Sequence, residues 1–104
     1  MKGLEVIFMA PRSRRHRGKP VLDSVAAIAK SHGIRRHTRR VDAEGAGASG
    51  HTHSAHFFEL ADEPEELMFV LEGDKAEELM RAVEAEALHV FCICRTIDYW
   101  EFGH

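Results

Sequence analysis

An α+β chain of order βαββαβ is predicted by three observations on the 104-residue sequence. Three apolar runs rich in β-branched and aromatic residues and one charged, strand-compatible run alternate with two stretches of helical period, so that a strand–helix–strand unit occurs twice. Pro and Gly punctuate these units where strands and helices must stop. At this length, with 44% hydrophobic and 30% charged residues, one domain with one modest core is expected over residues 1–104.

"LEVIFMA" (4–10) reads as the first strand, ended by Pro11. "PRSRRHRGK" (11–19) is a basic, turn-rich loop. "PVLDSVAAIAKSHG" (20–33) has Pro20 in its first turn and Gly33 just past its end, which predicts a helix with an apolar stripe of Val21, Val25, Ile28 and Ala29. "IRRHTRRVD" (34–42) is highly charged, yet Ile34, Thr38 and Val41 fit a strand at an exposed edge, where Arg is tolerated. A long glycine- and histidine-bearing segment follows, with a strand expected at "SAHFFEL" (54–60). "LMFVLE" (67–72) is the next strand. A helix then starts at Asp74, with Glu77 in capping-box spacing, and runs to about Ala87 with Ala76, Met80, Val83 and Ala87 on one face. "HVFCICRTI" (89–97) is the last strand and "DYWEFGH" an aromatic tail. The architecture expected is a ferredoxin-like sandwich, an antiparallel sheet with two helices on one face. The last two strands are apolar at nearly every position, as strands buried on both faces are. The helices cover one face, so the other is expected to meet neighbouring chains.

Composition removes several function classes. No apolar run approaches the roughly 18 residues of a membrane span. The N-terminal apolar run ends in Pro and Arg rather than a small-residue cleavage site, so a cytoplasmic protein without membrane insertion is expected. Cys92 and Cys94, spaced i, i+2 on a strand, share a face with no turn to close a disulfide, and read as small half-buried apolar residues in a reducing compartment. Ser49 and Ser54 lie near histidines, but no nucleophile elbow or nucleophile–base pair can be placed, so no enzyme is expected. "RSRRHR" and "RRHTRR" have a phosphate-binding look; the acidic net charge of −3 and the lack of interleaved aromatics argue against nucleic acid. Residues 1–50 carry 11 Lys/Arg against 4 Asp/Glu, and residues 51–104 carry 3 against 13, an asymmetry suited to contacts between subunits.

Three sites invite a ligand. Arg12, Arg14, Arg15, Arg17 and Lys19 precede a helix N-terminus, where N–H groups and the dipole favour anions; the alternative is a solvated loop or an intersubunit ion-pair site. His51, His53 and His56 invite a metal, but on a strand only His51 and His53 share a face, short of the three or four ligands zinc needs. No metal is therefore assigned. Tyr99, Trp100 and Phe102 form an aromatic patch able to stack on a base or to pack between subunits.

"GKPVLDSVAAIAKSHGI", "EGAGASGHTHSAHFFELADE" and "LMFVLE", in that order and spacing, resemble the PII-like signalling proteins over roughly residues 16–97. The resemblance rests on a "GKP" helix start, a "G-x-G-A-S" turn and an "H-[ST]-A" strand. It implies a ferredoxin-like homotrimer that binds an adenine nucleotide between subunits. It also implies a T-loop, at about 44–66, that contacts a transporter or enzyme. Carried over by position, the nucleotide-binding residues are Thr38, Gly45, Ala46, Gly47, Ser49 and Arg95, with Lys19 from the basic loop. Two departures matter. Residues 88–89 leave almost no room for the phosphate-gripping loop of better-known members, and "IDYWEFG" stands where a pair of tail arginines would be. ADP, AMP or a cyclic nucleotide therefore fits better than ATP, and the resemblance extends to members that respond to bicarbonate and associate with carboxysomes. The alternative is a trimeric metal-binding or metal-tolerance protein using His51, His53 and His56.

Overall fold

A computed structural model describes residues 1–41 and 63–103. The elements are β1 (Lys2–Pro11), β2 (Arg15–His16), β3 (Lys19–Pro20), α1 (Val21–Ser31), β4 (Thr38–Val41), β5 (Pro64–Leu71), α2 (Gly73–Ala85) and β6 (Phe91–Asp98). Four strands form one sheet in the order β4-β5-β1-β6. Every pairing in it is antiparallel, with Leu4 opposite Leu71, Lys2 opposite Asp98 and Thr38 opposite Met68. This is the expected ferredoxin-like order: β1 and β5 lie at the centre, and each helix carries the chain from a central strand to an edge.

Alternation along β1 separates the two faces of the sheet. Val6, Phe8 and Ala10, with Leu67 and Phe69 of β5, pack against Val21, Leu22, Val25 and Ala29 of α1 and Ala76, Leu79 and Val83 of α2. Phe8 and Phe69 meet edge to face, centroids 6.0 Å apart, at the middle of this core. Both rings are essentially inaccessible to water. Phe69→Ala is expected to cost about 3–5 kcal/mol by lost burial and an unfilled cavity, read from urea unfolding.

Local signals explain most boundaries. Pro20, at φ −53°, leads directly into α1, with Asp23 in its first turn and Lys30 in its last. Gly33, at φ +79°, turns the chain so that the Ile34 N–H donates to the Ala29 carbonyl at 2.9 Å. Ile34 thereby enters the core, and the expected strand over 34–42 shortens to Thr38–Val41 at the edge. On α1 the buried stripe uses Leu22 where Ile28 was expected; Ile28 is half-buried.

Five further expectations are corrected. The basic loop contains a hairpin, β2–β3, turned by Arg17 (φ +52°) and Gly18 (φ +81°), the two positive-φ positions a type I′ turn requires. Asp74 does not cap α2: the N-cap is Glu72, and no side chain bonds there. Asp74 instead lies in the first turn, where its charge complements the dipole. Ala87 is exposed at φ +55°, outside the helix, whose buried face is Ala76, Leu79 and Val83. The connection from α2 to β6 spans residues 86–90 rather than 88–89. Strand β5 starts at Pro64, so the last residues of the 44–66 segment belong to the sheet; the strand expected at 54–60 lies outside the described residues.

The cysteines differ from expectation in exposure. By register Cys92 and Cys94 lie opposite Phe8 and Val6, on the helix side, but β6 is an edge strand and both are exposed by area. Neighbouring protein atoms nevertheless desolvate the Cys92 sulfur and, with the like charge of Cys94, push its pKa up to about 11. Its thiolate is correspondingly scarce. In the native protein at pH 8, iodoacetamide is expected to alkylate Cys92 about a hundredfold more slowly than a free thiol, with site-resolved mass spectrometry as the check.

Candidate functional site

The sheet face turned away from the helices carries Ile7 and Met9 of β1, Met68 and Val70 of β5, and Ile93 and Ile97 of β6. At the end of this face where β1 begins, the chain leaving β6 doubles across the strand ends. The Tyr99 N–H donates to the Met1 carbonyl at 2.9 Å, and the Met1 ammonium donates to the Tyr99 carbonyl at 3.1 Å. The Tyr99 ring lies over Gly3, where an added Cβ would stand 2.7 Å from Tyr99 Cε1 and 2.7 Å from the Leu71 carbonyl oxygen. Only a glycine lets the ring approach the strand this closely.

This path closes a cavity of about 470 Å³ lined by Arg36, His37, Thr38, Met68, Val70, Tyr99, Trp100 and Glu101. Its floor is apolar, from Met68 and Val70. Thr38, the first residue of β4 and opposite Met68 in register, supplies a hydroxyl. The Trp100 indole is 68% exposed. The Arg36 guanidinium donates to Glu101 at 2.9 Å, and this bond and the opposite charge raise the Arg36 pKa further. Apolar walls, aromatic rings and a few polar groups make a cavity suited to a planar, partly polar ligand.

Of the residues expected to hold nucleotide, Thr38 lines this cavity. Arg95 projects from the same sheet face but from the opposite edge strand, and it is ion-paired with Glu5, whose side chain is only 15% exposed. Three strand spacings, about 14 Å, separate β4 from β6, so a single chain does not bring Thr38 and Arg95 together. Lys19 lies beyond the other end of β1, in a separate cavity of about 260 Å³ with His16, Arg17, Ser24, Ala27, Ile28 and Glu86. Two of the basic-loop arginines have structural partners: Arg12 pairs with Glu63 at 2.8 Å, and Arg14 donates to the His89 carbonyl at 3.0 Å. Gly45, Ala46, Gly47, Ser49, His51, His53 and His56 lie outside the described residues. Sequence reasoning missed Arg36 and Glu101; the available signal was an acid beside the aromatic tail, opposite in charge to the run around Thr38.

A larger groove, about 510 Å³, lies between the helices and is lined by His32, Asp74, Glu77, Glu78, Arg81 and Ala82. Much of its charge is internally matched. His32 Nδ1 meets Glu78 Oε2 at 2.5 Å, Lys75 donates to the His32 carbonyl at 2.9 Å, and Arg81 pairs with Glu77. The bonds from His32 and then Lys75 hold the Glu78 carboxyl below its usual range. Among the described residues no group of three or more His, Cys, Asp or Glu is placed to hold a metal. Nor is any described helix long and apolar enough to cross a membrane.

Comparison with known proteins follows this geometry. No curated protein matches the sequence. Among similar solved structures is that described as CPII bound to ADP, AMP and acetate, from Thiomonas intermedia K12. The likeness covers 96% of this chain and 90% of that one, with a TM-score of 0.66 at 11% identity, and so concerns the fold. The profile of the DUF190 family, described as "Uncharacterized ACR, COG1993", matches residues 6–98. A βαββαβ sandwich that shares the CPII fold, matched by this profile over nearly its whole length, belongs to the DUF190 family and has a PII-like fold.

Proposed function

We propose that the chain is a cytoplasmic, non-enzymatic regulator that binds an adenine nucleotide and reports it to a partner protein. The carrying observation is the cavity beside Thr38, where an apolar floor, two tail aromatics and the Arg36 cation converge on a fold shared with a protein bound to ADP and AMP. The base enters between Trp100 and the Met68–Val70 floor, with the Thr38 hydroxyl at its edge. Aromatic stacking of this kind contributes about 1–3 kcal/mol per base. AMP and ADP suit the site better than ATP, because Arg36 is its single arginine and Glu101 partly offsets it.

The active form is a homotrimer. The helix-free face is rich in aliphatic and Met side chains, and Val70 is 39% exposed on it in a single chain. A subunit interface is the ordinary way to bury such a face. It also supplies what one chain lacks, since the β6 edge of a neighbour brings a second Arg95 towards Thr38. Residues 44–63 then act as the T-loop that contacts a transporter or enzyme, with Gly45 and Gly47 as its root on the nucleotide and bicarbonate as a second effector.

Calorimetric titration with AMP, ADP and ATP, with and without bicarbonate, tests this reading. Micromolar binding of AMP or ADP in preference to ATP is expected, one nucleotide per chain. Absence of binding by all three, with tight binding of Zn²⁺ instead, would transfer the function to the histidine segment.

A further inference from the structure

Arg36 and Glu101 are 65 positions apart, yet they meet across the mouth of the cavity, Arg36 Nη2 to Glu101 Oε2 at 2.9 Å. Both are surface groups, their side chains 85% and 50% exposed. The rest of the lining is His37, Thr38, Met68, Val70, Tyr99 and Trp100, so Arg36 is its one arginine or lysine and Glu101 its one carboxylate. A guanidinium recognises carboxylate and phosphate by the same planar fork of N–H donors. The tail carboxylate therefore occupies the place an incoming anion would take on Arg36. A ligand with a planar body and an anionic end fills this cavity fully only when its anion takes Arg36 from Glu101.

We propose that Glu101 is an intramolecular stand-in for a nucleotide phosphate, and that residues 99–101 form a self-occluding strap which the phosphate unlatches from Arg36. The assignment rests on the nucleotide reading of the cavity given above. The strap has a fixed root and a movable end. Tyr99 is held by two backbone hydrogen bonds to Met1 and by its ring over Gly3, whereas Glu101 is held by one exposed ion pair. An exposed pair of this type shifts an equilibrium only a few-fold, so a phosphate can displace it. While latched, the chain is not binding-competent, and the apparent affinity is lowered by the unlatched fraction. Weak phosphate ligation thus comes with a threshold: uncharged nucleosides lack the group that opens the strap.

The chain has one tryptophan, so emission from Trp100 reports this cavity alone. Full-length wild type, Glu101→Gln and Arg36→Gln are titrated with AMP and with adenosine, by Trp100 emission and by calorimetry. Glu101→Gln is expected to bind AMP about threefold to fivefold more tightly than wild type, and the gain should shrink at high salt, where the latch is already screened. Arg36→Gln should bind AMP at least about tenfold more weakly. Adenosine, with no anion to take Arg36, should bind wild type more weakly than AMP does, and with the latch removed in Glu101→Gln it should gain by a similar factor. If wild type binds AMP and Glu101→Gln binds it no tighter, the strap is overturned while the nucleotide reading stands. If neither AMP nor adenosine binds any of the three proteins, both fall. Circular dichroism on the two variants confirms that these surface substitutions leave the fold in place.

Discussion

Ile93→Asp is expected to convert the proposed trimer of three 11.7 kDa chains into a folded monomer and to abolish nucleotide binding with it. Ile93 lies on the helix-free face opposite Ile7, in a row that continues through Met68 to Thr38. On an isolated chain the side chain is only half-buried and belongs to an edge strand, so a carboxylate there can reach water. Between subunits the same carboxylate would lie in a row with Ile7 and Met68, and the cation two residues along, Arg95, is already paired with Glu5. Burying an unpaired charge costs several kcal/mol per ion, and the symmetry of a trimer imposes that cost three times. Light scattering at micromolar concentration reads the mass, and the core around Phe8 and Phe69, on the other face, keeps the monomer cooperative in thermal unfolding. A variant that remained trimeric would show that this face is not the interface. A monomer that still bound AMP at full affinity would place the whole site within one chain and remove any role for a neighbour's Arg95.

The fold was legible because its signals are local and repeated. Pro20 and Gly33 bracket one helix, period-2 and period-3.6 patterns separate strands from helices, and the charge of "RRHTRR" marks an edge. What escaped shows where local signals end. Arg17 sits at φ +52°, a conformation usually marked by Asn or Asp, so the β2–β3 hairpin had no recognisable turn dipeptide beyond Gly18. Asp74 had capping-box spacing, but the helix starts two residues earlier than that box requires. Thr38, expected to hold nucleotide, lines a cavity. Its companions were not foreseen, because Arg36 meets Glu101, and Gly3 meets Tyr99, only after the sheet has brought the chain termini together. Lys19 was grouped with Thr38 from the basic loop, and the structure puts the two in separate cavities.

Gly3→Ala tests that termini-built geometry with the smallest possible addition. The new methyl would stand 2.7 Å from the Leu71 carbonyl oxygen and 2.7 Å from Tyr99 Cε1, closer than side-chain carbons approach either. The oxygen is part of the β1–β5 ladder and cannot step aside without opening it, whereas the Tyr99 ring can leave if the tail detaches. Overpacking of this kind costs about 1–3 kcal/mol, expected as a lower urea midpoint with an unchanged slope. Detachment removes Tyr99 and Trp100 from the cavity wall, so AMP affinity should fall about tenfold or more, near 1.4 kcal/mol. The double variant Gly3→Ala/Tyr99→Ala separates the two clashes. With the ring gone, the methyl still meets the carbonyl oxygen but no longer the ring, so the stability losses of the single variants should not add. Additive losses, or a Gly3→Ala protein with the wild-type midpoint and wild-type AMP affinity, would mean that the Tyr99 seat on Gly3 neither holds the tail nor shapes the site.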